Sequence, residues 1–386
     1  MDELASKSLL PNGLRDGLPP DAAHEADIHN LVLATFAARG YERVEPPLVE
    51  FEESLLNGSG EALALSTFRL MDPVSQRMMG VRADMTPQIA RIATTRLRKA
   101  PRPLRLSYGG PVLRVRGNPL QPDREFRQAG VELIGARESA ADCEVILLAF
   151  EALRASGVKQ LSVDLTLPTL VPGFCAALAV EAATARRIRV ALDRKDAAAL
   201  AGIGGKAVDP LRRLLDAAGP VEKALPVLEA VELPAGPAAE RARLIEVAEV
   251  LRREAPDLYV TVDPVENRGF EYHSGLSFTF FARGVRGELG CGGRYLAGHA
   301  GEPSTGFSLF LHNLLRAVTF PPPPKRLLLP SGTGEATGAR LRAEGWVTVA
   351  ALAEIADLGA EARRLLCSHY LADGNPVAVA SEGENG

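Results

Sequence analysis

The chain has 386 residues, 46% of them hydrophobic and 24% charged, with a net charge of −4, which excludes global disorder. At ~100–200 residues per domain it holds two or three, each large enough for a core without staples. No apolar run reaches the ~20 residues of a membrane-spanning helix, and the start, MDELASKSLLPNG, lacks the basic and apolar parts of a secretory signal. Cys143, Cys175, Cys291 and Cys367 show no CxxC and no metal-ligand spacing, so a cytoplasmic protein without metal or cofactor is expected. A pI near 6.0 gives only a weak argument against nucleic acid.

In chain order, a helix is predicted from Asp21 as N-cap, with Ile28, Leu31, Val32 and Phe36 on one face and Gly40 as its stop. YERVEPPLVEF alternates like a strand until Pro46 and Pro47. FRLMDPVSQRMMGVRADMT reads as two strands around an Asp-Pro turn, with a helix from Thr86 or Pro87. Leu104 to Gly135 reads as an antiparallel hairpin with a long polar tip, Glu138 to Ser156 as an amphipathic helix, and LSVDLTL as a strand. Residues from about 172 to 256, rich in alanine, leucine and arginine, read as a helical insertion. Strands resume at LYVTVDP and HSGLSFTFFA. Four prolines, Pro321 to Pro324, form a semi-rigid linker to a βαβ-like tail at 325–386. The fold class is therefore α+β: an antiparallel sheet flanked by helices over 1–320, with a helical insertion and a small C-terminal α/β domain.

Three constellations could carry chemistry. In VRADMTPQIAR, Asp84 and Thr86 are two apart and would face the same way on a strand, able to meet one polar ligand; a solvated strand end explains them too. In the hairpin at 109–135, Arg114 suits a phosphate or carboxylate, and Gln128 with Glu132 suits an ammonium or a ring N–H. A salt-bridged sheet surface is the alternative there. Arg268, Tyr272 and His273 precede a glycine-rich strand ending at Gly292-Gly293, where a ligand could approach the backbone, or where packing is tight under a bulge. The other five histidines read as structural.

The ordered series NGLRDGLPPDA, GYERVEPPLVE, VRADMTPQIAR, the arginine hairpin, RGFEYH, GGRY and a GF-containing final helix resembles the class II histidyl-tRNA synthetase core over roughly residues 8 to 320. The resemblance implies that family's fold, dimerising through its first motif. It implies Asp84 and Thr86 at the α-ammonium, Gln128 and Glu132 at the ammonium and an imidazole N–H, and Arg114 at the α-phosphate. Arg268 stands at the family's catalytic arginine, Tyr272 at the first of its tyrosine pair, and His273 at the second.

The ATP side departs from the family. Arg116 stands where a glutamate reads adenine; in GFSLFLHNLL, Phe310, His312 and Asn313 replace the final motif's glycine, glutamate and arginine. Losing one such donor typically costs ~10²–10³-fold in rate. A kept amino-acid pocket with a lost adenylation site resembles the regulatory-subunit family of ATP phosphoribosyltransferases. That resemblance implies a chain without chemistry of its own, partnered by a short-form catalytic subunit in a hetero-octamer. It further implies self-dimerisation, histidine as effector and no nucleic acid. Asp84, Thr86, Arg114, Gln128, Glu132, Arg268, Tyr272 and His273 are then expected to line the effector pocket. Two other readings stay open: an active histidyl-tRNA synthetase with a divergent ATP site, and a synthetase-like module binding tRNA or another partner.

Overall fold

The first apolar stripe folds as the helix Asp21–Ala38 in the computed structural model, which describes residues 9–56, 63–117, 122–266, 273–298 and 300–379. Its buried stripe is Ile28, Val32 and Phe36, a strict four-residue spacing that leaves Leu31 exposed, contrary to the sequence reading. Pro20, not Asp21, occupies the N-cap; Asp21 sits one residue inside, where its charge still suits the positive helix end. Gly40 follows with φ +80, the left-handed conformation that ends helices.

The chain divides into two compact units, Met1–Thr319 and Phe320–Gly386. Within the first, the strands in chain order are β1 (Glu42–Arg43), β2 (Val49–Phe51), β3 (Phe68–Met71), β4 (Met78–Val81), β5 (Leu104–Leu113) and β6 (Glu125–Ile134). They continue as β7 (Leu161–Thr166), β8 (Gly219–Pro220), β9 (Tyr259–Asp263), β10 (His273–Ala282), β11 (Gly290–Ala297) and β12 (Glu302–Phe310). Nine of them form one sheet in the order β1-β5-β6-β12-β11-β10-β7-β9-β8. Its middle is antiparallel as expected, but β1 runs parallel to β5 and β7 parallel to β9, so the sheet is mixed. β2, β4 and β3 form a separate antiparallel sheet. Its turn is held by the Asp72 carboxylate, which accepts the backbone N–H groups of Val74 (3.1 Å) and Ser75 (3.2 Å).

Alternation along β5 and β12 divides the two sheet faces. Phe307 points to the helix Asp21–Ala38 and meets Phe36 edge-on at 5.5 Å between ring centroids. The opposite face receives the helix Thr86–Thr95, whose Ile89, Ala90 and Ala93 pack with Leu104, Leu106, Tyr108 and Tyr295. The register across the central strands sets Glu132 of β6 beside Gly306 of β12, which pairs in turn with Gly293 of β11. Glycine at these positions lets neighbouring side chains lie flat over the sheet instead of standing off it.

The region read as a helical insertion holds Leu170–Ala177, Ala182–Asp193, Ala197–Ala201, Val208–Asp216, Val221–Glu229 and Ala235–Glu254. It is not purely helical, since β8 pairs with β9. The second unit has a four-stranded sheet in the order β14-β13-β15-β16, where β13 is Arg326–Leu329, β14 Val347–Ala350, β15 His369–Ala372 and β16 Asn375–Ala378. The last strand, β16, turns back antiparallel on β15. Asp373 and Gly374, with φ +48 and +79, supply the two-residue turn that makes this hairpin.

Candidate functional site

Asp84 does not lie on a strand: it sits in the loop between β4 and the helix Thr86–Thr95. The polar side chains that surround it are buried, so their bonds can be followed one by one. Asp84 Oδ1 accepts the backbone N–H of Thr86 at 2.8 Å, a local cap rather than the parallel display expected of a strand pair. Its second oxygen accepts from Gln128 Nε2 at 3.1 Å, while Gln128 Oε1 accepts the Met85 N–H at 3.2 Å. Gln128 thus bridges β6 to the loop and fixes the carboxylate over the sheet. Asp84, Gln128 and Glu132 are 2%, 0% and 1% exposed.

Glu132 lies flat across Gly306. A Cβ at that glycine would fall inside contact distance of the Glu132 carboxylate and the Val131 carbonyl. Gly306→Ala is therefore expected to destabilise the chain by ~1–3 kcal/mol through overpacking, measurable by urea unfolding. The carboxylate accepts from Tyr295 at 2.9 Å and from Tyr108 at 3.3 Å. Tyr108 also meets Ser308 Oγ at 2.9 Å and Thr86 Oγ1 at 3.2 Å, with its ring laid over Gly130. Burial pushes Glu132 up to about 8, against the pull of the Tyr295, Thr86 and Tyr108 hydroxyls and with the push of the Asp84 carboxylate. The acid is protonated at neutral pH in this state.

His273 opens β10, pairs with Tyr295 of β11 and lines the same cleft. Burial lowers its imidazole to about 4, so it is neutral at physiological pH. Arg114 falls just past the end of β5, at an isolated bridge with Thr67, rather than on the strand. It is half-buried, donates to the Ala83 carbonyl at 3.4 Å and stacks its guanidinium on Phe126 at 4.9 Å from the ring centre. The structure thus gathers Asp84, Thr86, Gln128, Glu132 and His273 into one network and cleft, with Arg114 bonded to the carbonyl of Ala83 in the same loop. Arg268 and Tyr272 lie outside the described residues. Tyr108, Tyr295 and Ser308 join the site without having been singled out by sequence reasoning; the glycines beside them in SYGG and GGRY were the available signal. The cleft measures about 10 Å³, room for about one water molecule.

On the nucleotide side, the stretch read as part of the final helix is strand as far as Phe310, which pairs with Gln128; the helix begins at Leu311. Phe310 is 1% exposed and packs edge-on against Phe126 at 5.8 Å. The His312 ring lies tilted against Phe126, 4.8 Å between ring centroids, and burial lowers its imidazole to about 4. Asn313 donates to the Glu288 carbonyl at 2.7 Å. Nearby, the Asp123 carboxylate pairs with Arg15 (3.9 Å) and Arg316 (3.4 Å).

Residues 13–314 match the family model for histidyl-tRNA synthetase. The ATP phosphoribosyltransferase regulatory subunit of Rhodospirillum centenum is 59% identical over 369 residues, covering 96% of each chain. The protein of that name from Paramagnetospirillum magneticum is 54% identical, over 98% of this chain and all of its own. This chain belongs to the family of ATP phosphoribosyltransferase regulatory subunits. Among solved structures, an ATP phosphoribosyltransferase regulatory subunit/histidyl-tRNA synthetase from Bacillus halodurans C aligns with a TM-score of 0.80 at 25% identity, over 92% of this chain and 96% of that one. The membership accords with a synthetase-like sheet that carries Phe310, His312 and Asn313, without an acidic or basic side chain, where β12 meets its helix.

Proposed function

We propose that this chain is the non-catalytic subunit of an ATP phosphoribosyltransferase, acting with a short-form catalytic subunit at the first step of histidine biosynthesis. In this reading it binds free histidine at Asp84, Thr86, Arg114, Gln128, Glu132, Arg268, Tyr272 and His273, and cannot activate it. The observation that carries the proposal is one juxtaposition. A buried polar constellation suited to ammonium and ring N–H groups adjoins a nucleotide side filled by Phe310, Phe126 and His312. Adenylation needs cations facing a polyphosphate. Here one position holds an asparagine, another a neutral imidazole, and the nearby Arg15 and Arg316 are already paired with Asp123. The narrow cleft means that histidine enters by displacing its lining side chains, which is how an effector acquires unequal affinity for two states. A hetero-octamer of four chains of each kind, a self-dimer through the core and a cytoplasmic location complete the reading, closed symmetric assembly being the common case.

Co-purification with the short catalytic subunit, followed by assay with and without histidine, tests it: the expected result is a complex whose activity falls as histidine is added. Histidine-dependent exchange of pyrophosphate into ATP is expected to be absent from the isolated chain. Exchange above background would support an active synthetase instead, and failure to form a complex would overturn the proposal.

A further inference from the structure

We propose that the first unit carries a second ligand site, separate from the histidine cleft, for a small amphipathic anion with an apolar body and one anionic head. Where β7 and β9 end, the chain leaves a cavity of about 340 Å³, walled by Leu167, Val171, Cys175, Leu192 and Val265 among others. Its volume lies in the range of small-molecule pockets, ~300–1,000 Å³, and so does its character of apolar walls with few polar groups. β7 and β9 are neighbouring parallel strands, and Leu167 and Val265 follow their carboxyl ends. The crevice outside the carboxyl ends of parallel strands is where ligands of open α/β sheets settle, because the connecting segments diverge there.

The charge of the head follows from the rim. Arg186 and Arg189 lie three residues apart on the helix Ala182–Asp193, hence on one face, and both line the cavity. Both are exposed, and among the described residues neither has a carboxylate partner. Asp193 also lines the cavity and leaves the rim one positive charge in excess. An apolar enclosure with guanidinium forks at its mouth selects a tail that enters and a carboxylate or phosphate that stays at the surface. The walls hold no counterpart for a polar body. The site is independent of the function proposed for the Glu132 cleft.

The test is calorimetric titration of the full chain with decanoate, a ten-carbon carboxylate, with decyltrimethylammonium as the charge-reversed probe. Saturable binding of one decanoate is expected, with the cation binding far more weakly. The double variant Arg186→Glu/Arg189→Glu is expected to bind decanoate about tenfold less tightly, since two exposed charge contacts are reversed. Ala185→Trp, which plugs the cavity from its helix wall, is expected to abolish binding. An unchanged unfolding midpoint in either variant shows that it is folded. No saturable decanoate binding in the unaltered chain would overturn the proposal. So would equal binding of the cation, or undiminished binding in both variants.

Discussion

On the proposed function, Glu132→Ala is expected to lower the affinity for free histidine by about 100-fold and to leave assembly with the catalytic subunit intact. The magnitude follows from the position of the carboxylate. Removing one partner of a buried, charge-assisted hydrogen bond costs ~2–5 kcal/mol, and 100-fold is about 3 kcal/mol. Glu132 is 1% exposed, and Tyr108 and Tyr295 hold it on the floor of the cleft. The space left by the truncation is walled by Gly306 and the two tyrosines, which offer hydroxyls but no charged acceptor for a ligand N–H. Calorimetry with free histidine measures the loss; unchanged affinity, or unchanged inhibition of the complex, would remove Glu132 from the effector pocket. Allosteric coupling itself needs ~1–3 kcal/mol between sites, so on the proposed function a loss of this size is expected to relieve inhibition by histidine.

The same residue carries a pH signature with a definite sign. In the unliganded fold burial raises Glu132 from 4.5 to about 8, so between those values the native chain holds a proton that the unfolded chain has lost. Its contribution to stability is complete below about 4.5 and is lost as pH rises through about 8, with a slope of at most ~1.4 kcal/mol per pH unit. A ligand N–H donor favours the carboxylate, so on the proposed function histidine binding near neutrality is expected to release a proton and to tighten as pH rises toward 8. Glu132→Gln, which keeps the shape and the tyrosine contacts, is expected to flatten both profiles. Titrations in two buffers of different ionisation enthalpy count the released proton directly.

What could be read from the sequence was set by how local the cause was. The Asp72 turn and the Gly40 stop depend on a residue and its neighbours, and both are where the residue types require them. The uncharged residues Phe310, His312 and Asn313 could be read by identity alone, but the edge-on and tilted contacts of Phe310 and His312 with Phe126 needed the β6–β12 register. Asp84 was misplaced onto a strand because period-two spacing cannot distinguish a strand from a loop that caps the next helix. Tyr108 and Ser308 went unnoticed for a related reason. Their contact passes across Gly130 on the strand between them, and only the strand order makes them neighbours.

Strand order also sets a second buried network on the far side of β11 from the Glu132 cleft, joined to it through two neighbouring residues. Arg294 and Tyr295 are consecutive and point to opposite faces. Tyr295 reaches Glu132 on one side. On the other, Arg294 donates to the Asp142 carboxylate at 2.9 Å and to the carbonyls of Ala136 and Glu138. Asp142 is 1% exposed and takes a further bond from Arg243, at 3.2 Å, on the helix Ala235–Glu254. Burial raises the Asp142 carboxyl, against the pull of both arginines. Arg294→Met is therefore expected to cost ~3–5 kcal/mol in urea unfolding, because it leaves a buried carboxylate and two carbonyls without their main donor. Adding Asp142→Leu should restore part of that loss, since a buried pair exchanged for apolar side chains is often neutral or better. Histidine affinity then separates two roles. If Arg294 also holds Tyr295 in place, the restored double variant regains stability and still binds histidine weakly. If both recover together, the ion pair serves the fold alone.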